Sequence, residues 1–542
     1  MAKVFRAYFL KSLFIFWYRF LLRQLKNLIV FHRTISNTFA NTTQSQIKYQ
    51  KFSSLLNRSD LNDHTLIFDV ENALLKSTSL FPYFMLVAFE AGGLFRAIVL
   101  VLLYPLIFLS GEKMGLNIMV MICFFGLKAK DFRIGRSVLP KFFLEDVGSE
   151  IFEVINQGGK KVGVSNLPRV MVESFLKEYL KIDFVAGREL KMVCGYYVGL
   201  MDETKNLHAL KQVHEGKGSL DMIGITRFNN IHDDEIFSSC KEVYAVSQGD
   251  KRSWKKLATK KYPKSLIFHD GRLALTPTPL KSLAMLMWLP YGIILSVIRI
   301  TLAFTLPFKI STPLLTFSGL RLTSSIPENA HKSNGHGHLY VCNHRTLLDP
   351  LYISFSLHKK LIAVTYSLSK MSEIIAPIKT VRLSRNRDID AKMMKTLLQQ
   401  GDVVVCPEGT TCREPYLLRF SSLFSEMCDE ITPVAVDTHV SMFYGTTASG
   451  LKALDPVFFL ADPFPAYTVE LLTQVRPSQF PRVSENAEEC RFEVANHIQA
   501  EIGNTLGFEC TKLTRKDKYL MLAGNEGVVF NRRNSIPRNS QQ

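Results

Sequence analysis

Residues 341–350, VCNHRTLLDP, and residues 403–415, VVVCPEGTTCREP, are the two stretches that decide how this chain of 542 residues is built. In each stretch a short apolar run ends in a polar turn, which is the pattern of a buried strand that brings side chains to one edge of a sheet. The first turn carries His344 and, five positions later, Asp349. The two stretches therefore predict an α/β domain with a polar site at the ends of its strands.

The spacing of His344 and Asp349 indicates how they could meet. In one continuous helix a step of five residues would place them roughly 140° apart, so the chain must bend between them. Pro350 is compatible with the first turn of a helix, and a strand, a tight turn and a helix start would bring the imidazole to the carboxylate. The carboxylate would fix the ring tautomer and leave the other nitrogen to take a proton from an alcohol.

We interpret His344 as a candidate general base for moving an acyl group onto a hydroxyl. The chain has no GxSxG turn and no cysteine in a papain-like setting, so direct attack by a substrate hydroxyl is simpler than an acyl-enzyme. A turn histidine beside a helix-capping aspartate is the alternative, purely structural interpretation.

Two neighbouring segments supply groups that suit a phosphate. Residues 378–388, IKTVRLSRNRD, are predicted to be extended, which places Arg385 and Arg387 on one face and Arg382 on the other. A guanidinium can grip a phosphate with two hydrogen bonds, although solvated surface charges would give the same pattern. In the second turn Gly409 would let backbone amides approach an anion, and Thr410 would add a hydroxyl donor.

The segments NHRTLLD, VRLSR, PEGTT and ITPVAVD occur in the order of the four sequence blocks of glycerolipid acyltransferases, which residues 311–507 resemble. The resemblance implies an α/β acyltransferase domain of the PlsC-like kind, with His344 and Asp349 as the catalytic pair. It also implies that the glycerol-phosphate site is lined by Arg385, Glu408, Gly409 and Thr410. Block four, residues 431–436, would pack below this site.

The first half of the chain resembles a haloacid-dehalogenase-like hydrolase, a Rossmannoid parallel sheet with its chemistry at the carboxyl ends of the strands. The resemblance rests on an apolar strand that ends in Asp69, a second that ends in Ser165, and a third segment, LDMIGITRFNNIHDDEIFSSCKEVYAV. A domain of this kind fused to the acyltransferase blocks resembles the land-plant glycerol-3-phosphate acyltransferases of the cutin and suberin branch.

The hydrolase pattern is incomplete. That family uses two aspartates one residue apart, whereas this chain has Asp69 and Glu71, and misplacing a catalytic group by about 1 Å can cost roughly 100-fold. Ser165 keeps the phosphate-binding hydroxyl, but the two metal-binding positions fall on Asn229 and Asp233, and asparagine brings no charge to a magnesium site. We expect a domain that has lost phosphatase chemistry, with a slow phosphatase as the alternative.

Composition favours contact with a membrane, since 47% of the residues are hydrophobic and the mean hydropathy is +0.08. Residues 97–109 and 116–127 are shorter than a spanning helix, so a buried cap or re-entrant hairpin is as compatible as two spans. Residues 283–307 are predicted to form two short helices, 283–297 and 300–308, separated near Arg299.

The predicted organisation is a basic, apolar anchor at 1–50, a hydrolase-like domain at 51–276 with an apolar cap insertion around 92–127, membrane-associated helices at 277–310, an acyltransferase domain at 311–507 and a polar, disordered tail at 508–542.

The first 50 residues predict where the chain is found. They form a basic, apolar and aromatic segment without a signal-peptide core, and the first acidic residue of the chain is Asp60. Aromatic richness favours an interfacial anchor, and the family resemblance implies the endoplasmic reticulum membrane with the catalytic domain facing the cytosol. A mitochondrial membrane is the alternative.

The net charge of +18 and the pI near 9.4 are explained by anionic partners. The basic residues are spread along the chain without a nucleic-acid recognition module, so membrane lipids, acyl-coenzyme A and glycerol-3-phosphate are expected, and nucleic acid is not. The resemblance implies no metal or other cofactor.

The predicted reaction transfers an acyl group from acyl-coenzyme A to glycerol-3-phosphate and gives lysophosphatidic acid. The alternatives are a product stripped to monoacylglycerol, a lysophospholipid acceptor, which the fused hydrolase-like domain argues against, and a catalytically silent membrane scaffold.

Overall fold

The computed structural model describes residues 49–56, 58–205, 222–227, 235–238, 240–264, 266–327, 337–365, 378–384, 386–426, 430–480 and 487–524. They fall into two units. The first contains the described residues up to Ile267 together with Thr276–Leu283, and the second contains Phe268–Leu275 and the described residues from Ala284 onward. The division differs slightly from the predicted boundary at residue 276, because Phe268–Leu275 belongs to the second unit.

A seven-stranded sheet forms the centre of the first unit. The elements of this unit are β1 (Tyr49–Lys51), α1 (Phe52–Leu55), β2 (Thr65–Asp69), α2 (Phe81–Gly92), α3 (Leu94–Leu102), α4 (Tyr104–Leu109), α5 (Glu112–Phe124), α6 (Ile134–Ser137), α7 (Leu139–Leu144), α8 (Ser149–Gln157), β3 (Lys160–Pro168), α9 (Arg169–Ser174), β4 (Phe184–Val193), β5 (Tyr196–Lys205), β6 (Met222–Thr226), α10 (Glu235–Ser238), β7 (Glu242–Ala245) and α11 (Gln248–Ser253). The strand order is β1-β7-β6-β2-β3-β4-β5, and every neighbouring pair is parallel except β4 and β5.

The parallel pairing confirms the Rossmannoid sheet that was predicted for this half. All five residues of β2 are buried, as expected for a strand covered on both faces. Asp69 is the last residue of β2, and Ser165 lies in the second half of β3, which pairs with it. Both side chains therefore lie toward the carboxyl edge of the sheet.

Seven helices, α2 to α8, lie between β2 and β3, and the first four of them, α2 to α5, lie where the apolar insertion was expected. The insertion begins earlier than predicted, because α2 starts at Phe81. Its core side is closely packed, whereas large apolar side chains on α3 and α4 are exposed to solvent. They are Leu94, Phe95, Ile98, Leu102, Leu106, Phe108 and Leu109, and we call this set the cap patch.

The second unit contains another seven-stranded sheet and a small two-stranded one. Its elements are α12 (Pro279–Thr305, grouped with the first unit up to Leu283), α13 (Phe308–Phe317), β8 (Arg321–Ser325), β9 (Leu339–Cys342), α14 (Asp349–Leu357), β10 (Ile362–Thr365), β11 (Lys379–Arg382), α15 (Arg387–Gln400), β12 (Val403–Val405), β13 (Tyr416–Leu417), β14 (Ile431–His439), α16 (Asp455–Ala461), β15 (Ala466–Leu471), α17 (Ala487–Leu506), β16 (Glu509–Cys510) and α18 (Arg515–Leu522). The larger sheet has the order β11-β10-β12-β9-β14-β15-β8, and β13 pairs with β16.

The strands that carry the four sequence blocks lie side by side. β11, β10, β12, β9 and β14 are parallel, and β15 runs antiparallel to β14. Alternate residues of β9 pack into two different apolar clusters: Tyr340 and Cys342 in one, Leu339 and Val341 in the other. Burial on both faces explains why this strand reads as a continuous apolar run.

The apolar segment before β8 differs from the prediction of two short helices. It forms one continuous helix, α12, which contains Pro290 and Arg299. Arg299 is buried, and its guanidinium donates to the carbonyl oxygens of Leu460, Asp462 and Ser318 at 2.7, 2.8 and 2.5 Å. The charge therefore does not need to reach water at this point, and the helix does not have to break there.

Among the described residues, α12 is the one helix long and apolar enough to cross a bilayer by length and composition. Its most hydrophobic window has a mean hydropathy of 1.9 and is 28% buried. Exposed apolar side chains recur at helical spacing along it, which is typical of a helix with one face in an apolar environment. They are Leu280, Leu283, Met287, Tyr291, Ile294 and Ile298, and we call this set the helix stripe.

The predicted boundary at residue 508 is wrong. Glu509–Cys510 pairs with β13, and Arg515–Leu522 forms a helix whose first turn is closed by a capping box between Thr514 and Asp517. The polar composition of this stretch reflects caps and exposed turns rather than the absence of structure. The predicted anchor at residues 1–50 ends two residues too late, because Tyr49 and Gln50 belong to β1, which pairs with β7. Its residues 1–48, and residues 525–542 of the predicted disordered tail, lie outside the described residues.

Candidate active site

The candidate site begins where β9 ends. Asn343 is the residue directly after β9, and two hydrogen bonds hold its side chain against the neighbouring strand β14. Its Nδ2 donates to the Val436 carbonyl at 2.8 Å, and its Oδ1 accepts from the Val436 N–H at 2.8 Å. This pair of hydrogen bonds anchors the chain to block four directly before His344. The backbone that carries His344 is therefore held in place at the end of β9.

His344 and Asp349 are in direct contact. His344 Nδ1 lies 2.9 Å from Asp349 Oδ2, and the side chains are 15% and 0% exposed. Asp349 is the first residue of α14, which confirms the strand, turn and helix start expected from the spacing. A carboxylate in this position holds the Nδ1–H tautomer, so that Nε2 is the nitrogen able to accept a proton.

The carboxylate of Asp349 accepts several further hydrogen bonds. The backbone N–H of Arg345 donates to Oδ2 at 2.6 Å, and that of Thr346 donates to both oxygens at 3.0 Å. The hydroxyl of Tyr467 donates to Oδ1 at 2.7 Å. Donors to both oxygens fix the orientation of the carboxylate toward His344.

Sequence reasoning missed Tyr467, which lies in β15 and follows Asp349 by 118 positions. Its ring stacks on Tyr352 of α14 with centroids 3.8 Å apart. Burial and the charge of Asp349 hold the pKa of Tyr467 well above its usual value, so it remains a donor. No motif marks this tyrosine, because only the pairing of β15 with β14, and of β14 with β9, brings it to the site.

The pKa of His344 is raised above its usual value. Burial lowers it, but the neighbouring thiol of Cys406 and the bonded Asp349 raise it by more. The imidazole is therefore more basic than an exposed histidine. Cys406 also lies close to Cys342, with the two sulfur atoms 3.4 Å apart.

Glu408 binds the His344 turn rather than pointing at solvent. Its Oε1 accepts from the backbone N–H of His344 at 2.7 Å, and its Oε2 accepts from that of Leu418 at 2.9 Å. Burial raises the pKa of this carboxyl to about 7, although both backbone hydrogen bonds lower it. The N–H of Cys412 donates in turn to the His344 carbonyl at 2.6 Å. The two polar turns are therefore hydrogen bonded to each other at both the N–H and the carbonyl of His344.

Gly409 supplies the conformation that this second turn needs. Its φ of 67° lies in the left-handed region that favours glycine, and its N–H donates to the Cys406 carbonyl at 3.2 Å. Thr410 follows it and is partly exposed. Gly409 and Thr410 are both partly exposed, so a ligand could reach this turn. Binding of a substrate phosphate there stays a prediction.

The helix α18 contacts the same turn, which the sequence did not indicate. Lys518 Nζ donates to the Thr411 carbonyl, and the Thr410 side chain hydrogen bonds to Tyr519. Lys452 Nζ lies 2.6 Å from the Tyr519 hydroxyl. Burial raises the pKa of Tyr519, but Lys452 and Thr410 lower it below its usual value. Two lysines therefore flank the turn that was expected to bind a phosphate.

Arg385 lies outside the described residues, and its predicted contact with a phosphate stays a prediction. Its surroundings correct one expectation: the extended run ends at Arg382, and Arg387 is the first residue of α15. Asn386 caps this helix, and Ser384 donates through its backbone N–H and its hydroxyl to Asp390 at 2.7 and 2.8 Å. The predicted extended run therefore does not reach Arg387, and Arg382 and Arg387 do not lie on opposite faces of one strand.

His344, Asp349 and Cys406 are the one group of possible metal ligands among the described residues, with ligand atoms within 4.8 Å of one another. The oxygens of Asp349 already accept hydrogen bonds from the backbone, from Tyr467 and from the imidazole. A metal ion would have to displace these donors. The donor set therefore fits an oriented imidazole better than a metal centre.

The degenerate hydrolase site in the first unit is also well ordered. Asp69 accepts from the Asn72 N–H and the Asn72 Nδ2, each at 2.9 Å, and from Thr226 Oγ1 at 3.2 Å. Glu71 contacts Ser165, which is completely buried. Lys251, which sequence reasoning missed, donates to the Glu71 carbonyl at 2.9 Å. The predicted metal-binding positions, Asn229 and Asp233, lie outside the described residues.

Comparisons with known proteins agree with both halves. Residues 65–246 match the family model of the HAD-like domain of RAM2-like glycerol-3-phosphate acyltransferases, and residues 321–437 match the acyltransferase family model. Among solved structures, the 1-acyl-sn-glycerophosphate (LPA) acyltransferase PlsC from Thermotoga maritima aligns with 42% of this chain and 97% of its own, at 14% identity and a TM-score of 0.28.

Two plant proteins match nearly the whole chain. "Probable glycerol-3-phosphate acyltransferase 2" of Arabidopsis thaliana is 57% identical over 89% of this chain and 93% of its own length. "Probable glycerol-3-phosphate acyltransferase 3" of the same plant is 54% identical over 96% of this chain and 98% of its own length. These matches include both domains in the same order. The chain therefore belongs to the plant glycerol-3-phosphate acyltransferase family, in which a HAD-like domain precedes the acyltransferase domain.

Proposed function

We propose that this chain transfers an acyl group from acyl-coenzyme A to glycerol-3-phosphate and releases lysophosphatidic acid. The observation that carries the proposal is the contact of 2.9 Å between His344 Nδ1 and an Asp349 carboxylate that is held by backbone and tyrosine donors. This pair provides a base for an alcohol, as transfer to glycerol-3-phosphate requires. The matching relatives carry that acceptor in their names.

The reaction follows from the placement of the imidazole. A glycerol hydroxyl donates to His344 Nε2 and attacks the thioester carbonyl while the imidazole takes its proton. The new C–O bond forms, the C–S bond breaks, and the imidazolium gives the proton to the departing thiolate of coenzyme A. Asp349 stabilises the imidazolium and does not itself take the proton.

The substrate phosphate and the oxyanion are assigned to the second turn. We place the phosphate against Arg385 and Thr410, with Glu408 and Gly409 shaping the turn that receives it. Because the N–H of Gly409 already donates to the Cys406 carbonyl, the amides of Thr410 and Thr411 are the better candidates for the oxyanion. No cofactor takes part in this scheme.

The acyl donor is proposed to enter from a membrane surface. The helix stripe on α12 and the cap patch on α3 and α4 both expose large apolar side chains, which is costly in water and favourable in a lipid interface. Arg299 and the opposite side of α12 are packed against protein, so embedding in one leaflet suits this helix better than a clean span. We place the protein on the endoplasmic reticulum membrane with its catalytic domain facing the cytosol, and a mitochondrial membrane is the alternative.

The product is proposed to keep its phosphate. Glu71 replaces an aspartate of the hydrolase pattern, and Asn229 replaces a charged metal ligand. An intact Asp69 favours the second candidate, a bifunctional enzyme that releases monoacylglycerol.

The test uses microsomes that contain the wild-type chain, His344→Ala or the control His439→Ala, which removes an exposed histidine at the end of β14. They are supplied with acyl-coenzyme A and labelled glycerol-3-phosphate, and lysophosphatidic acid is separated from monoacylglycerol. We expect lysophosphatidic acid from the wild type and the control, and a loss of at least about 100-fold with His344→Ala.

Each other outcome contradicts part of the proposal. Monoacylglycerol as the main product would show an active hydrolase domain. Absence of product with every acyl donor would favour a membrane scaffold, and acylation of a lysophospholipid but not of glycerol-3-phosphate would reassign the acceptor.

A further inference from the structure

The side chain of Glu71 points into a group of hydrogen-bond donors at the carboxyl edge of the first unit's sheet. Its carboxylate accepts from Ser165 Oγ, from the Asn166 N–H at 3.2 Å to each oxygen, and from the Leu167 N–H at 3.3 Å. These residues lie where the register between β3 and β4 shifts, so that successive amides turn toward one point. Amides that converge in this way form a concavity for an anion.

A buried cation lies beside the pocket. Lys251 is 4% exposed and donates from Nζ to the Glu71 carbonyl at 2.9 Å. Burial lowers the pKa of Lys251 to about 8, and the charges of Asp69, Asp146 and Glu71 oppose that decrease. Ser165 is fully buried and Glu71 is 7% exposed, so the pocket is shielded from bulk water. Donors and a cation in such a place require a negative occupant.

We propose that Glu71 is the built-in occupant of a phosphate pocket. Its carboxylate oxygens take the place of the phosphoryl oxygens that Ser165 Oγ and the amides of Asn166 and Leu167 would otherwise bind. An aspartate at this position would be shorter by one methylene, about 1.5 Å, and would leave the donors available to a ligand. The first unit is therefore closed to phosphate monoesters by its own chain.

The state of Asp69 agrees with a closed site. Its oxygens accept from Asn72, through the backbone and the side-chain amide, and from Thr226. A carboxylate held in this way caps the turn that follows β2 rather than facing a substrate. The inference deepens the proposed product, lysophosphatidic acid, but all its contacts lie within the first unit and none depends on acyl transfer.

The experiment measures binding of inorganic phosphate to the purified full-length protein in detergent by titration calorimetry. Four chains are compared: the wild type, Glu71→Ala, Glu71→Asp, and the matched double variant Glu71→Ala with Ser165→Ala. We expect at least about tenfold tighter phosphate binding by Glu71→Ala than by the wild type, because the donors lose their occupant. The double variant should lose this gain, since it lacks the serine donor.

Thermal unfolding with and without phosphate provides the second readout. Phosphate should raise the Tm of Glu71→Ala and of Glu71→Asp but not that of the wild type. If Glu71→Ala folds only when phosphate is added, which circular dichroism and gel filtration would detect, the proposal is also supported.

Three results would overturn the proposal: wild-type binding equal to that of Glu71→Ala, a folded Glu71→Ala or Glu71→Asp that binds no phosphate, or an unchanged gain in the double variant. Acyl transfer measured on the same preparations reports the proposed function separately. Failure of one assay therefore does not imply failure of the other.

Discussion

The carboxylate of Asp349 shows how much of the site depends on groups that do not touch the substrate. It accepts from two backbone amides, from Tyr467 and from the imidazole of His344. A carboxylate held by so many donors has a single orientation, and its hydrogen bond to Nδ1 fixes the orientation of the imidazole as well. The contact with Asp349 therefore affects both the pKa of His344 and the orientation of its ring.

The raised pKa of His344 predicts the pH dependence of the reaction. The base must be unprotonated, so kcat/KM should fall as the pH decreases through a pKa above the ordinary value of about 6.5. Asp349→Asn removes one of the two groups, Cys406 and Asp349, that raise this pKa, so the acidic limb should move to lower pH. The maximal rate should fall by roughly 10³ to 10⁴, because the tautomer is no longer fixed. Initial rates across the pH range measure both effects, and an unmoved acidic limb in Asp349→Asn would assign that limb to another group.

Tyr467→Phe tests the positioning role of the tyrosine. The change removes a hydrogen bond to a charged acceptor, which contributes about 1.5–3 kcal/mol, so kcat should fall by about tenfold or more with little change in KM for glycerol-3-phosphate. The acidic limb should move to higher pH, because the unshared charge of Asp349 favours the imidazolium more strongly.

The control for this variant is Tyr352→Phe, which removes a hydroxyl from the ring stacked on Tyr467. It should leave kcat and the acidic limb near the wild-type values. Equal losses in both variants would indicate that the ring packing, and not the hydroxyl of Tyr467, matters for the rate.

At the scale of elements, α18 is the main addition to what the sequence predicted. Its residue Lys518 is buried and reaches the Thr411 carbonyl, and Tyr519 reaches Thr410. The helix therefore supports the turn on which the acceptor phosphate is proposed to bind. A segment that reads as a polar tail is part of the acyltransferase unit.

Lys518→Met tests this support. The change leaves the Thr411 carbonyl without its buried donor, so we expect a loss of about 1–3 kcal/mol in the free energy of unfolding and a rise in KM for glycerol-3-phosphate. Lys512→Met, which alters an exposed lysine just before the same helix, is the matched control and should change neither quantity. Thermal unfolding and initial rates at varied acceptor concentration measure the two effects. A lowered stability with an unchanged KM would limit α18 to a structural role.

The elements divide clearly into those that sequence could predict and those that it could not. Short apolar runs bounded by polar turns identified β2, β9 and β12, because strands buried on both faces leave that pattern. The contact between His344 and Asp349 followed from local spacing. Tyr467 and Lys251 could not be found in this way, since each contacts a residue of its site that lies more than a hundred positions away in the sequence. The continuity of α12 was missed because the carbonyls that satisfy Arg299 lie far away in the sequence.

At the scale of the whole molecule, each unit exposes its own apolar surface. The cap patch belongs to the first unit, and the helix stripe lies on α12, mostly in the second. Isolated exposed apolar residues are ordinary, but two extended sets in one chain are not. Contact of both units with a lipid surface would explain them without a protein partner.

Replacement of three stripe residues tests the membrane proposal. Met287, Ile294 and Ile298 are 65%, 60% and 48% exposed, and their joint substitution by serine removes apolar area worth roughly 25 cal/mol per Å² in a lipid interface. We expect a larger fraction of the protein in the soluble phase after alkaline extraction of membranes.

The control is Ile389→Ser, which alters an exposed isoleucine of α15, and it should partition like the wild type. Unchanged partition of the triple variant would mean that other segments hold the chain on the membrane. Protection of both ends of α12 from added protease would instead indicate a helix that crosses the bilayer.

The carboxylate of Glu71 has one more consequence, which concerns concentration. A ligand that diffuses in stabilises a protein only to the extent that it is present, by RT ln(1 + [L]/Kd). A ligand that is part of the chain has a fixed effective concentration at its pocket and cannot be depleted. The donors around Ser165 are therefore satisfied whether the cell is rich or poor in phosphate. The first unit keeps a stability that does not follow the supply of phosphorylated metabolites, while the second unit consumes one.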